Sequence, residues 1–158
     1  MSAVDLDRTD LLLLAELQRA GRQSNAELAE RVHLSPSACL RRVQRLERDG
    51  VIAGYRAEVS PDRVGLGLQA FVRVQLKQHD AETVDAFARH VDSWDEVVTC
   101  HALTGDMDYL LQIAVSDLEH FSRFLLDNLL NKAGVAHGNS SFVLRTAKPF
   151  RGLPLPHG

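Results

Sequence analysis

Four arginines on one short segment, Arg41, Arg42, Arg45 and Arg48, are the residues whose spacing most directly suggests chemistry. At about 100° per helical residue, Arg41, Arg45 and Arg48 fall on one side with Ser37 and Gln44, and Arg42 sits at the edge. Cys39, Leu40, Val43 and Leu46 fall on the other side, which predicts a packed face. A guanidinium grips guanine edges through two hydrogen bonds and also pairs with phosphate. The alternative is the solvated basic face of an ordinary surface helix. The acid inside the helix, Glu47, lies toward the packed side and is expected to pair internally.

Other groups suggest chemistry less specifically. Asp106 and Asp108 stand two apart in a Gly-containing turn, Thr104 to Asp108. Three uses are open: a weak metal site, an acid/base pair, or a turn in which Asp bonds its own backbone. Cys100 and His101 look like a nucleophile with its base, but neighbours on a strand point to opposite faces. The seven histidines are scattered without zinc-motif spacing. No phosphate-binding loop or GxSxG nucleophile motif is present. Apart from that turn, the residues suggest no catalytic group, cofactor or metal.

The elements around the arginines place them well for reading DNA. Ser24 with Glu27 fits a capping box, and Ser35 followed by Pro36 fits a second helix start. Gly50 is a plausible end signal. Two short helices joined by about three residues let a second helix enter the major groove. Because the start of such a helix usually reads bases, Ser35, Ser37, Ala38 and Arg41 are expected to face the groove. Arg45 and Arg48 are expected to reach phosphates, and Arg42 either. Leu6, Leu13, Leu14 and Leu17 give a first amphipathic helix ending near Gly21, so three helices occupy about residues 5–50.

The pattern then changes. Residues 51–59 predict a short strand pair or wing, stopped by Ser60-Pro61-Asp62, with a hinge through Gly65 to Gly67. Leu68, Ala70, Val72, Val74 and Leu76 alternate with Gln69, Phe71, Arg73, Gln75 and Lys77, a strand signal. Val84, Phe87, Ala88 and Val91 predict a helix; residues 96–103 and 109–115 predict strands. Ser116 with Glu119 fits a capping box for a helix running to Gly134, and residues 140–146 predict a fourth strand. The order β-α-β-β-α-β is ferredoxin-like. The sheet face carrying Phe71 lacks a helical cover, which predicts a homodimer.

The expected fold class is α+β: an N-terminal winged helix-turn-helix, then a ferredoxin-like βαββαβ oligomerisation domain. The expected divisions are 1–54 for DNA binding, 55–66 for a linker, 67–148 for the βαββαβ domain and 149–158 for a Pro-rich, extended tail.

Charge distribution agrees. The formal net charge of the 158 residues is -3, so this is no general nucleic-acid coat protein. Arg31, Arg41, Arg42, Arg45 and Arg48 face Glu47 alone within their stretch, whereas the chain from Val64 on holds eight basic and eleven acidic residues. A local basic patch on an acidic chain suits specific binding. Two distant cysteines suit reduced thiols, and the acidic start carries no signal-peptide pattern, so a cytoplasmic location is expected.

The chain resembles the Lrp/AsnC (feast/famine) family of transcriptional regulators over about residues 5–148. The resemblance rests on Leu6-Asp-Arg-Thr-Asp10, Gly21-Arg22, Leu34-Ser-Pro-Ser-Ala-Cys39, Arg42-Val43, Arg45-Leu-Glu47, Gly50-Val-Ile52, Gly54-Tyr55 and Gly105-Asp-Met-Asp-Tyr109. It implies a regulator of double-stranded DNA that answers an amino acid or similar small effector. It also implies homodimers, often assembled into tetramers or octamers. In the family the turn matching residues 104–108 lines an effector site between subunits, so Thr104, Gly105, Asp106 and Asp108 are carried over as candidates. A carboxylate suits the ligand's ammonium, and backbone N–H groups near Gly105 suit its carboxylate. The closing Gly152-Leu-Pro-Leu155 is similar to the tails of some members, without a role to assign. A siroheme-decarboxylase-like enzyme acting on a tetrapyrrole is the alternative on the same architecture, and a module that binds another protein is a third. The enzyme has no need for Ser37, Arg41, Arg45 and Arg48 on the exposed face of the recognition helix, and this chain has all four.

Overall fold

A computed structural model describes residues 4–131 and 134–156. The first three residues, the expected helix end at Lys132 and Ala133, and the last two residues of the tail lie outside the described residues. The chain divides into two units: Met1–Glu58 together with Lys148–Gly158, and Val59–Ala147.

The first unit is built on α1 (Arg8–Arg19), α2 (Asn25–Arg31) and α3 (Pro36–Arg48). Each start is capped. Asp7 and Asp10 form a capping box on α1, Ser24 and Glu27 form one on α2, and the Ser35 hydroxyl accepts the Ala38 amide with Pro36 in the first turn. Such caps satisfy amides that have no partner within the helix. Between α2 and α3 the backbone reverses at His33, a non-glycine residue with φ 56°. There His33 N donates to Glu30 O and Leu34 N to Ala29 O. At the end of α3, Gly50 (φ 71°) donates to Glu47 O while Val51 N donates to Leu46 O. Both closures are Schellman turns, which need a left-handed residue.

Leu13, Leu28, Ala29, Val32 and Cys39 form the core of this unit, with Leu17, Leu34 and Val43 packed against it. Leu40, expected inward, is 46% exposed. It stands about 100° round the helix from Cys39, at the margin of the packed stripe. Glu47 is exposed, yet it pairs as expected: the Tyr55 phenol donates to its Oε1 at 2.9 Å. Partial desolvation, aided by this carboxylate, pushes the Tyr55 phenol up to about 12. The strand pair expected over residues 51–59 does not form; residues 53–60 are exposed and make no ladder. Gly54 interrupts the stretch, and Pro61 opens a single 3-10 turn, Asp62–Val64.

The second unit holds β1 (Leu68–Leu76), α4 (Ala81–Asp92), β2 (Val97–Ala102), β3 (Tyr109–Val115), α5 (Leu118–Arg123) and β4 (Val135–Phe142). The sheet is antiparallel in the order β2-β3-β1-β4, the ferredoxin-like arrangement. Alternation along β1 sends Ala70, Val72, Val74 and Leu76 into the core with Phe87, Leu111, Ile113, Val115, Phe124 and Leu129. Trp94 lies against this core, stacked on His90 and edge-on to Phe124.

Three local expectations are corrected. The α5 cap is Asp117, which accepts the His120 amide at 2.8 Å, while Ser116 donates its hydroxyl to Asp117. After Arg123 the helix widens into a π segment, Phe124–Leu130. β4 spans Val135–Phe142 instead of 140–146 because β1 pairs with it from Leu76↔Val135 to Ala70↔Phe142. Its residues after Val135 are mostly exposed, so it lacks the apolar alternation that marks a half-buried strand.

Candidate DNA-reading face and effector turn

The outward side of α3 carries Ala38, Arg41, Arg42, Gln44, Arg45 and Arg48 around one shallow, open concavity. These residues do not share one electrostatic state. Arg41 is exposed and makes no ion pair among the described residues. Arg48 is 73% exposed and 3.6 Å from Asp49. Ser37 is exposed, Ala38 is half-buried, and the Ser35 hydroxyl caps the helix and lies 3.3 Å from that of Ser37.

Arg42 and Arg45 are held by acids of the first helix. Asp10 is fully buried, the one buried charged side chain among the described residues. Its Oδ1 accepts from Arg42 Nη1 at 2.8 Å, and its Oδ2 accepts from Arg45 Nη2 and from the Asp7 amide. Asp7 Oδ2 takes the same Arg42 nitrogen at 2.6 Å. The Arg42 hydrogen bond, with the Asp10 amide, holds the Asp7 carboxyl below the usual carboxylate range. The same acids raise Arg42 further. A buried carboxylate is stable only when such partners replace its lost water. The second helix is tied in as well: Asn25 Nδ2 donates to Pro36 O at 2.7 Å.

In the second unit, Thr104, Gly105 and Asp106 lie exposed at the β2–β3 turn. Gly105 has φ 122° with open space on its side-chain side, so another residue would strain the backbone there. The two acids differ. Asp106 is free of hydrogen bonds and ion pairs among the described residues. Asp108 is stitched to the end of β1: its Oδ2 accepts the Leu76 amide at 2.7 Å, and its Oδ1 lies 2.9 Å from His79 Nε2. Its own amide donates to Val74 O. The Leu76 bond and His79 keep its carboxyl below the ordinary range. Cys100 packs toward the core while His101 is exposed, so they form no pair.

Comparison with known proteins resolves the class. A model of the Lrp/AsnC ligand binding domain matches residues 69–153, and a winged helix-turn-helix DNA-binding model matches residues 6–53. This chain belongs to the Lrp/AsnC family. The Leucine-responsive regulatory protein of Escherichia coli K12 is 40% identical over 144 residues, which cover 91% of this chain and 88% of that protein. A solved Neisseria meningitidis transcriptional regulator in complex with L-Met is 49% identical with a TM-score of 0.91, covering 95% of this chain and 97% of that one. An AsnC family regulator from Agrobacterium tumefaciens is 32% identical with a TM-score of 0.88, over 94% and 97% of the two chains. The Lrp/AsnC chain is thus a DNA-binding transcriptional regulator with an amino-acid-binding domain, and the decarboxylase alternative is not favoured.

Sequence reasoning missed several residues of this Lrp/AsnC chain. Asp7 and Asp10 were legible only as members of the entry motif. Their three-residue spacing is a capping-box signal, and it was available. His79, the partner of Asp108, gave no signal. Nor did Gln18, whose side-chain amide grips the tail: Leu153 N donates to Gln18 Oε1 at 2.5 Å, and Gln18 Nε2 donates to Leu153 O at 3.2 Å.

Proposed function

We propose that this regulator binds double-stranded DNA in the cytoplasm as a homodimer or a multiple of one. Each α3 lies in a major groove. Arg41, with Ser37 and Ala38, reads bases, and Arg48 meets phosphate. The observation that carries this reading is the outward face of α3, where Arg41 stands exposed with no acid beside it. Two subunits related by a two-fold axis would address half-sites about one helical turn apart. The uncovered sheet face supports that pairing. It bears Phe71, 38% exposed, in register with Gln112 and Ser141 on the neighbouring strands. No helix among the described residues is long and apolar enough to cross a membrane.

The effector is an apolar amino acid, in keeping with the L-Met complex and the leucine-responsive relatives. Asp106 meets its ammonium, amides around Thr104 and Gly105 meet its carboxylate, and Asp108 holds the turn in shape. Calorimetry across the twenty amino acids, followed by gel-shift on the DNA upstream of its own gene with and without any binder, tests both halves. Methionine or leucine should bind and change the shift. No binding by any amino acid, or no binding to duplex DNA, would overturn the corresponding half. Light scattering should give a dimer or larger assembly, and Phe71→Glu should reduce its mass.

A further inference from the structure

The acids that hold Arg42 and Arg45 stand where DNA phosphate would otherwise stand. Arg42 Nη1 is shared by Asp7 at 2.6 Å and Asp10 at 2.8 Å, and Arg45 Nη2 is bonded to Asp10. Carboxylate and phosphate compete for the same guanidinium fork. Two acids against two arginines leave no net charge for the backbone of DNA to attract. The arginines are nonetheless reachable, with side chains 30% and 37% exposed. Asp10, by contrast, has no solvent contact and cannot swing away to be hydrated. The Nε of Arg45 is buried with no hydrogen-bond partner among the described residues, so this arginine is aimed at Asp10 at some cost to its own bonding. Arg41 and Arg48, on the same helix, have no carboxylate from α1.

Non-specific DNA binding is carried almost wholly by phosphate neutralisation. Resting on the DNA-reading role above, we propose that Asp7 and Asp10 are specificity-setting positioning residues. By occupying Arg42 and Arg45 they withhold two charges per subunit from phosphate, so random DNA is held weakly and discrimination falls to Arg41. With all four arginines free, a dimer would make about eight phosphate contacts and a slope of log affinity against log salt near -7. With Arg42 and Arg45 withheld, about four contacts and a slope near -3.6 are expected.

The test measures wild type, Asp7→Asn and Asp10→Asn full-length protein on a random-sequence duplex and on the DNA upstream of its own gene, over a salt series. Circular dichroism and melting check that each variant is folded. Wild type should show the shallower slope. Asp7→Asn and Asp10→Asn each remove one acid per subunit, the other acid staying on Arg42, so each should steepen the slope by up to about one per subunit. Affinity for random DNA should rise at least severalfold at low salt, and the ratio of specific to random affinity should fall. Wild-type slopes and ratios in folded variants would overturn the proposal. So would a loss of affinity for both DNAs at unchanged slope, since that is what a purely structural support would give. If Asp10→Asn does not fold, Asp7→Asn decides alone, because the Asp7 side chain is 52% exposed. Wild type that binds no duplex would instead remove the DNA-reading role itself.

Discussion

Asp108 and Leu76 are joined by a 2.7 Å hydrogen bond from the Leu76 amide to the Asp108 carboxylate, which fastens the β2–β3 turn to the end of β1. Asp108→Ala leaves that amide without its acceptor. A stability loss of about 1–3 kcal/mol is expected, read by urea denaturation. Asp106→Ala, at an exposed position, should change stability by less than about 0.5 kcal/mol but weaken effector binding by roughly tenfold or more. Equal stability losses for the two variants would contradict this division of labour.

The same bond fixes a pH dependence. The folded carboxyl of Asp108 lies below the ordinary aspartate value of 3.8, first through the Leu76 amide. A lowered folded value means that the contribution is complete above 3.8 and is lost as pH falls through the folded value. Asp7, Asp80 and Asp117 are lowered as well, each chiefly by a hydrogen bond. Stability to urea should therefore be flat with respect to these groups above about pH 5 and fall steeply below pH 4. In Asp108→Ala the acid-side fall should be shallower.

Arg41→Ala should cost about 1–3 kcal/mol on a specific site and relax base preference there. Quantitative footprinting on a mutated site series reads both effects. Unchanged selectivity would place base reading on other side chains.

The tail should come loose when its grip is spoiled. Gly152 sits at φ 106°, and a Cβ there would lie 2.6 Å from Gln18 Oε1. Gly152→Ala is therefore excluded both by backbone strain and by contact. Trypsin cleavage after Arg151 should be markedly faster in Gly152→Ala and Gln18→Ala than in wild type, with little change in global melting. Equal cleavage rates would mean that the tail is already open.

His33 carries a left-handed conformation that costs a non-glycine residue about 1–2 kcal/mol. Glycine removes that strain but loses about 0.5–1 kcal/mol in unfolded-chain entropy. His33→Gly should thus raise stability by up to about 1.5 kcal/mol, while β-branched His33→Val should lower it, both read in thermal melts.

What could be foreseen followed local rules. The alternation of β1 was legible because a half-buried strand writes its two faces at period two. Ser24, Ser35 and Pro36 announced two helix starts because caps and first-turn prolines are local chemistry. The state of Arg42 and Arg45 was not legible, because their partners lie 32–35 residues away. A helix wheel drawn alone treats both as free. β4 was misplaced because its ladder comes from β1 while its own residues, Val135 apart, are mostly exposed. The π segment is defined by backbone hydrogen bonds one residue wider than those of an α-helix, and no residue type in Phe124 to Leu130 announced it. Asp108 looked like Asp106 because only the tertiary fold puts the Leu76 amide beside one of them.

Trp94 is the chain's single tryptophan, and it packs against the core of the second unit between His90 and Phe124. Tryptophan emission consequently has no reporter in Met1–Glu58, the segment that carries all three helices of the DNA-binding unit. A denaturation curve read by emission tracks the effector-binding sheet and its π segment. One read by far-ultraviolet circular dichroism also weighs α1 to α3. The two midpoints coincide only if both units melt as one cooperative block, so an optical mismatch would reveal that regulator and sensor unfold independently.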